Sequence, residues 1–352
     1  MKACSLLTLL LCTTTVLAGD DWPQLQGDAL RSGNALTAEI PASLGLLGAI
    51  PTTDGIYAAP AVADGDVYVV DGSGVVHAIE AATLKVRWTF ATRGGPGNVN
   101  NTSSPAVVGP YLHLGTMAGY YYVLRRDSGT LVRELDCREP IFASPAVSPA
   151  AGSPDRVYFA TLGARVYAVG PDGDVKWTWD FVKEVIGFEG DRWKGEDWLK
   201  HRGDRVTWRD HFVCSRDICL LGQTVVLPAG GRTVYLDDTG AEAKLRTIAE
   251  MPAYHGREYP ATFGQSADAA GNVYVQWHRR DNAGRLDRVR LTEDAFEAEL
   301  VPGTETYISM PDLLSFASVS VRDGAIYRVR PEQGMGLCRH AMERPKPDVL
   351  CE

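Results

Sequence analysis

Apolar residues in this chain come in short runs of partly alternating character, each closed by a turn rich in Gly, Asp and Pro. Such runs read as half-buried strands, and Asp-Gly or Gly-rich pairs between them read as hairpin turns. After residues 58–62, AAPAV, the pattern predicts strands over 67–70, 75–79 and 86–90 with turns at 64–65 and 71–74. After residues 103–107, SSPAV, it predicts strands over 111–114, 120–124 and 131–135. After residues 143–147, ASPAV, strands follow over 157–160, 166–169 and 175–179. The spacing of the three copies is about 40 to 45 residues, the period of a four-stranded propeller blade.

Weaker copies continue over 214–245, 271–291 and 316–342. The expectation is an all-β chain, a β-propeller of about six four-stranded blades, with six to eight compatible with the spacing. Residues 44–50, LGLLGAI, form an apolar run ahead of the first full repeat. They are expected to close the ring from Leu44 to Ile50 as the outer strand of the last blade, since pairing terminal strands removes an exposed edge. Residues 19–43 lack strand alternation and read as an ordered cap lying across the ring, while 183–211 is an insertion between the third and fourth repeats and 250–260 a shorter one. The propeller itself is expected over 44–352.

Residues 59–90, beginning APAVADG, resemble a pyrroloquinoline-quinone-like propeller repeat. Such repeats share an Ala-x-Asp-x-x-Thr-Gly-x-x-x-Trp corner in which the Trp packs between neighbouring blades. Here Thr83 and Trp88 match that corner, Glu80 and Leu84 depart from it, Trp177 holds the same slot in the third repeat, and Glu134 stands near it in the second. The opening residues 21–24, DWPQ, resemble the start of many bacterial propellers of this kind. The resemblance is strong over 55–182 and weak after 212. It implies either a binding scaffold, similar to the scaffold propeller of bacterial outer-membrane assembly, or a quinone- and calcium-dependent sugar or alcohol dehydrogenase. The alcohol dehydrogenases of the superfamily are much longer and carry adjacent cysteines over the quinone, which this chain lacks. The non-enzymatic branch, with no cofactor, is therefore the expectation, and the dehydrogenase is the alternative because soluble sugar dehydrogenases lack the cysteine ring as well.

Composition narrows the setting. Lys2, an apolar run through Leu11 and the small residue Ala18 make residues 1–18 a secretory signal peptide, expected to be cut after Ala18. That run is well short of the roughly 20 residues needed to span a bilayer. The expectation is a secreted or periplasmic protein whose mature chain does not insert into membrane. The formal charge of -9 becomes -10 once Lys2 is removed, and a mildly acidic chain is a poor partner for nucleic acid. Of the five cysteines that remain, the sequence-near pairs Cys214 with Cys219 and Cys338 with Cys351 are the expected disulfides in an oxidising compartment, with Cys137 left over.

Candidate chemistry is sparse. No GxSxG, P-loop, GxGxxG after a strand or CxxC occurs, and His201 and His211, ten residues apart, have no recognised metal spacing, so no catalytic or metal-ligating set is assigned. His77 and His255 read as hydrogen-bonded structural residues. The overlapping sequons at Asn100 and Asn101 mark an exposed loop. The segment 189–211 holds three of the eight tryptophans amid dense charge of both signs. Trp193, Trp198 and Trp208 could offer flat faces and Arg205, Arg209, Asp210 and His211 directional polar groups, so this insertion is the candidate recognition element for a protein or glycan. The competing reading is a loop whose aromatics merely pin it to the propeller. Trp88 and Trp177 are expected to be structural.

Overall fold

The computed structural model describes residues 21–35, 45–94, 98–148, 156–203, 206–250, 261–278, 283–292, 295–304, 306–307, 319–330, 336–344, 346 and 348–351. The expected signal peptide over 1–18, residues 36–44 and the segment 251–260 lie outside these. Within them the chain forms six antiparallel sheets, each a meander of consecutive strands. The first sheet is β1 Ala61–Ala63, β2 Asp66–Val70, β3 Val75–Glu80 and β4 Lys85–Ala91. The second is β5 Ala106–Val108, β6 Tyr111–Gly115, β7 Tyr120–Arg125 and β8 Leu131–Asp136. The third is β9 Ala146–Val147, β10 Val157–Ala160, β11 Arg165–Val169 and β12 Val175–Asp180. The fourth is β13 Cys219–Leu221, β14 Thr224–Ala229, β15 Arg232–Asp238 and β16 Ala243–Glu250. The fifth comprises β17 Ala261–Ala267, β18 Asn272–His278, β19 Ala283–Leu291 and β20 Phe296–Leu300, with β21 Thr306–Tyr307 paired to β19. The sixth is β22 Ser320–Arg322, β23 Ala325–Arg330, β24 Gly336–Ala341 and β25 Asp348–Cys351.

This is a β-propeller. In the first four sheets the first three strands are largely buried, while the fourth strand is mostly exposed in β4 and β8. Cores form between neighbouring sheets: Tyr121 of β7 stacks on Phe159 of β10 at 3.7 Å, and Tyr235 of β15 shares a cluster with Trp277 of β18. Trp88 crosses to the second sheet, where its indole N–H donates to the Arg126 carbonyl at 2.9 Å. Gly129, at φ +70°, lies under that ring, and a Cβ there would come 2.6 Å from it. Trp177 does the same from the third sheet to the fourth, donating to the Asp238 carboxylate at 2.9 Å. In the second sheet the equivalent position, opposite Val123 as Trp88 is opposite Ala78, is Arg133, whose stem packs at Gly173.

The Ser of the repeated SPAV motif has a purpose that the motif alone does not disclose. The Ala59 N–H donates to Ser104 Oγ, the Ser104 N–H to Ser144 Oγ, and the Ser144 N–H to Asp217 Oδ1, each at 2.6–2.9 Å. Equivalent residues thus link each sheet's entry to the next across the first four sheets.

Residues 45–50 correct the expected closure. They form no strand, and Leu46 and Leu47 are 89% exposed. The sixth sheet takes its fourth strand from β25, the place the N-terminal strand was expected to fill. Residues 22–32 instead run along the inside of the sheets. One N–H in the first strand of each sheet donates to an oxygen of this segment: Val62 to Trp22 O, Val107 to Pro23 O, Val147 to Gln24 Oε1, Leu220 to Ala29 O, Ala267 to Leu30 O and Val321 to Ser32 O, all within 2.7–3.0 Å. First strands face the ring's centre with one edge unpaired, and buried unpaired N–H groups are costly, which is the reason such a segment is held there.

Candidate binding face

In an antiparallel meander the connections entering each first strand and the turns between second and third strands lie on one side of the ring. The insertion joins β12 to β13 and therefore rises from that side. It begins with a single π-helical turn, Val182–Ile186, ended by Gly187 at φ 71°, and continues through α1 Gly195–Arg202 and α2 Trp208–His211.

Arg192 fixes it to the propeller. Its guanidinium donates to the Gly163 carbonyl at 2.6 Å, bonds the Asp180 carboxylate, and sits 3.3 Å from Glu139, which in turn accepts from Thr161 Oγ1. Arg165 reaches the same Asp180 at 3.2 Å. Burial pushes the Asp180 carboxyl up, but the bond and charge of Arg192, the charge of Arg165 and a backbone N–H outweigh it and hold it below the ordinary carboxylate range.

Trp198 is fully buried. It stacks between Phe188, at 3.9 Å, and Phe212, at 5.7 Å, with its N–H given to the Arg192 carbonyl at 2.8 Å. Neither face of that ring is free for a ligand, so for Trp198 the pinning role is the one the packing supports. Trp193 is half-buried, edge-on to both Trp208 and Phe212. Trp208 is 41% exposed. His211 is paired with Arg202 and lies edge-on to Trp198. Arg205 lies outside the described residues, and the side chains of Arg209 and Asp210 in α2 do as well. Beside α1 and the π-turn an open cleft of about 440 Å³ is walled by Phe188, Glu189, Asp197, Lys200 and His201.

The expected disulfide between Cys214 and Cys219 is absent. Both thiols are free and buried in different clusters, Cys214 turned to the Arg216 carbonyl at 3.4 Å under the insertion and Cys219 between the fourth and fifth sheets. Burial pushes each thiol up to about 12. Cys137 and Cys338 are free too, and the side chain of Cys351 is outside the description. The strand carrying it pairs Cys338 with Val349 rather than with Cys351.

A second exposed apolar group lies on the same face. Asp71, fully buried, accepts from the N–H groups of Thr53, Ser73 and Val75 and lies 3.3 Å from His77. That carboxylate holds residues 53–55 against the 71–74 turn and presents Ile56 and Tyr57, both about half exposed, beside the connection that carries exposed Val99. Asn101, one of the two sequon residues, is buried and bonded to Gly72 O and the Met117 N–H, so its amide is structural.

The sequence reading missed Arg31. It is fully buried, and its guanidinium donates to the carbonyls of Ile218, Leu25, Ser144 and Pro145 and to Gln24 Oε1. Burial lowers its pKa, opposed chiefly by Asp217. A quinone cofactor is a planar polyanion and its calcium needs about six to eight oxygens. Residues 22–32 lie along the first strands, their one buried guanidinium is committed to protein acceptors, and no three His, Cys, Asp or Glu side chains converge among the described residues. The described residues thus bring together no carboxylate cluster for calcium.

Comparison with known proteins agrees with this architecture. Residues 49–141 match the family model described as outer membrane protein assembly factor BamB. The quinohemoprotein alcohol dehydrogenase from Comamonas testosteroni superposes with a TM-score of 0.62 at 17% identity, over 88% of this chain and 57% of that one. Residues 49–141 are thus similar to repeats of that family, and over the rest of the chain the likeness is one of propeller fold. A europium-containing methanol dehydrogenase gives a TM-score of 0.62 at 11% identity over 92% of this propeller and 70% of that chain. The quinohemoprotein alcohol dehydrogenase ADHIIG from Pseudomonas putida HK5 gives 0.58 at 12% identity over 90% and 59%. The propeller spans less than two thirds of the length of the Comamonas and Pseudomonas enzymes, and at these identities the likeness is one of fold. No curated protein matches the chain. No helix among the described residues is long and apolar enough to cross a membrane.

Proposed function

We propose that this propeller is an exported, non-enzymatic module that binds a protein partner through the face bearing the insertion. The observation that carries the reading is the mounting of that insertion: Arg192 and the Phe188–Trp198–Phe212 stack hold it rigidly while Trp208 and Leu199 stay exposed. Exposed aromatic and aliphatic side chains on a preorganised support lose little entropy on docking, which is what interface anchors require. The family model matched by residues 49–141 is named for an outer membrane protein assembly factor, which supports an envelope scaffold over a catalyst. The signal-like residues 1–18 support export.

The test immobilises the mature chain and a Trp208→Ala, Leu199→Ala variant of equal melting temperature, and passes the native envelope fraction over both. A protein retained by the first and lost by the second supports the reading; equal retention, or retention of a glycan alone, overturns it. Incubation with pyrroloquinoline quinone and calcium followed by desalting should leave no quinone absorbance and no dye reduction with sugars or alcohols; retained, active quinone would replace the scaffold with a dehydrogenase.

A further inference from the structure

A propeller ring has one seam, where the last sheet meets the first without a covalent link. The first sheet here is built entirely from β1–β4 and the sixth entirely from β22–β25, so no strand is exchanged across that seam. We propose that residues 22–32 are a clasp that closes the ring from inside, in place of a shared strand.

The segment visits the sheets in order, from Trp22 on β1 to Ser32 on β22, and its two ends lie on the two sides of the seam. Trp22 forms a two-bond bridge with Val62, N–H to O in both directions at 2.8 Å. The side chain of Asp21 accepts from the Asp64 N–H at 3.1 Å. On the other side the Val321 N–H donates to Ser32 O at 2.9 Å, and Gln26 Nε2 lies 3.5 Å from the Val319 carbonyl. The Gly33 N–H donates to Gln26 O at 3.1 Å, which folds the segment back so that one short piece of chain grips both edges. Arg31 and the carboxylate of Asp28, which accepts the Ser32 N–H at 2.9 Å, lock that shape. An ordinary filler of the channel would bear on all sheets alike. A clasp bears most on the seam, because the other sheets are joined by the chain itself.

The experiment uses the full mature chain and hydrogen exchange read strand by strand. An Asp21→Ala, Gln26→Ala double variant removes one side-chain bond on each side of the seam, to Asp64 and to Val319. Exchange at 61–63 and 320–322 should rise about tenfold or more, with 106–108 and 146–147 changed by less than about twofold. An even rise over all first strands, or none at the seam, overturns the proposal. Should the double variant fail to fold, a protease site placed at residues 38–41 of the otherwise native chain is cut after folding. The freed segment should co-elute with the ring, and its release in mild urea should coincide with fast exchange at 61–63 and 320–322 while far-UV circular dichroism is unchanged. Loss of the segment without change at those strands overturns the clasp.

Discussion

Arg31→Met removes the group on which the inner segment is centred while keeping most of its volume. Five hydrogen bonds go with it, to Ile218, Gln24, Leu25, Ser144 and Pro145. Bonds to a charged donor are each worth about 1.5–3 kcal/mol, a gross loss near 10 kcal/mol. The buried guanidinium also carries a desolvation cost of several kcal/mol that disappears with it, so the net loss should be nearer the 3–5 kcal/mol found on breaking buried charged networks. For a domain of this size each kcal/mol lowers the melting temperature by about 2 °C, giving a fall of roughly 6–10 °C by calorimetry. Arg31→Lys keeps the charge with fewer donors and should lie between the two. A melting temperature within about 2 °C of wild type for Arg31→Met would refute the reasoning, since it would mean that water or relaxation satisfies all five acceptors.

Trp198→Ala should cost about 3–5 kcal/mol in urea denaturation, as expected for a truncated buried aromatic, whereas Trp208→Ala should stay within about 0.5 kcal/mol. Gly129→Ala forces a Cβ into the Trp88 ring at a left-handed backbone position and should cost about 1–3 kcal/mol, with Trp88→Leu in the same chain recovering part of it. Burial holds His113 neutral, with a pKa lowered from 6.5 to about 4, against the pull of its bond to the Pro171 carbonyl. The unfolded chain takes up that proton first, so stability is full above pH 6.5, falls through the window down to about 4, and is flat with respect to this group below it; His113→Gln should flatten the urea midpoint over that window. Asp180, held low after its burial by Arg192, adds a further loss only at pH below the usual carboxylate range, which Asp180→Asn should remove. Thiol reagent should find Cys214 and Cys219 unreactive in the folded chain and both reactive on unfolding; one disulfide by mass would contradict the packing.

The repeats, the strands and the six-fold count were legible in the residues themselves. Strand alternation and hairpin turns are local physics, and a motif such as SSPAV recurs at the blade period whatever surrounds it. The slot shared by Trp88 and Trp177 was legible for the same reason. What surrounds a residue was not. The run 44–50 has the composition of a strand, yet the sixth sheet had already completed itself with β25, a pairing decided by which edges meet in space. Nothing in the text around Trp193, Trp198 and Trp208 distinguishes the buried ring from the exposed one; the stack with Phe188 and Phe212 does. Cys214 and Cys219, five residues apart, are separated because Cys219 opens β13 and faces the core between the fourth and fifth sheets, while Cys214 lies in the core under the insertion. Arg31 sits in a stretch without periodicity, and its partners Ser144, Pro145 and Ile218 lie 113, 114 and 187 residues away. Local pattern fixes which residues become strands; burial, edge pairing and the satisfaction of distant polar groups exist only once the sheets are brought around a common centre.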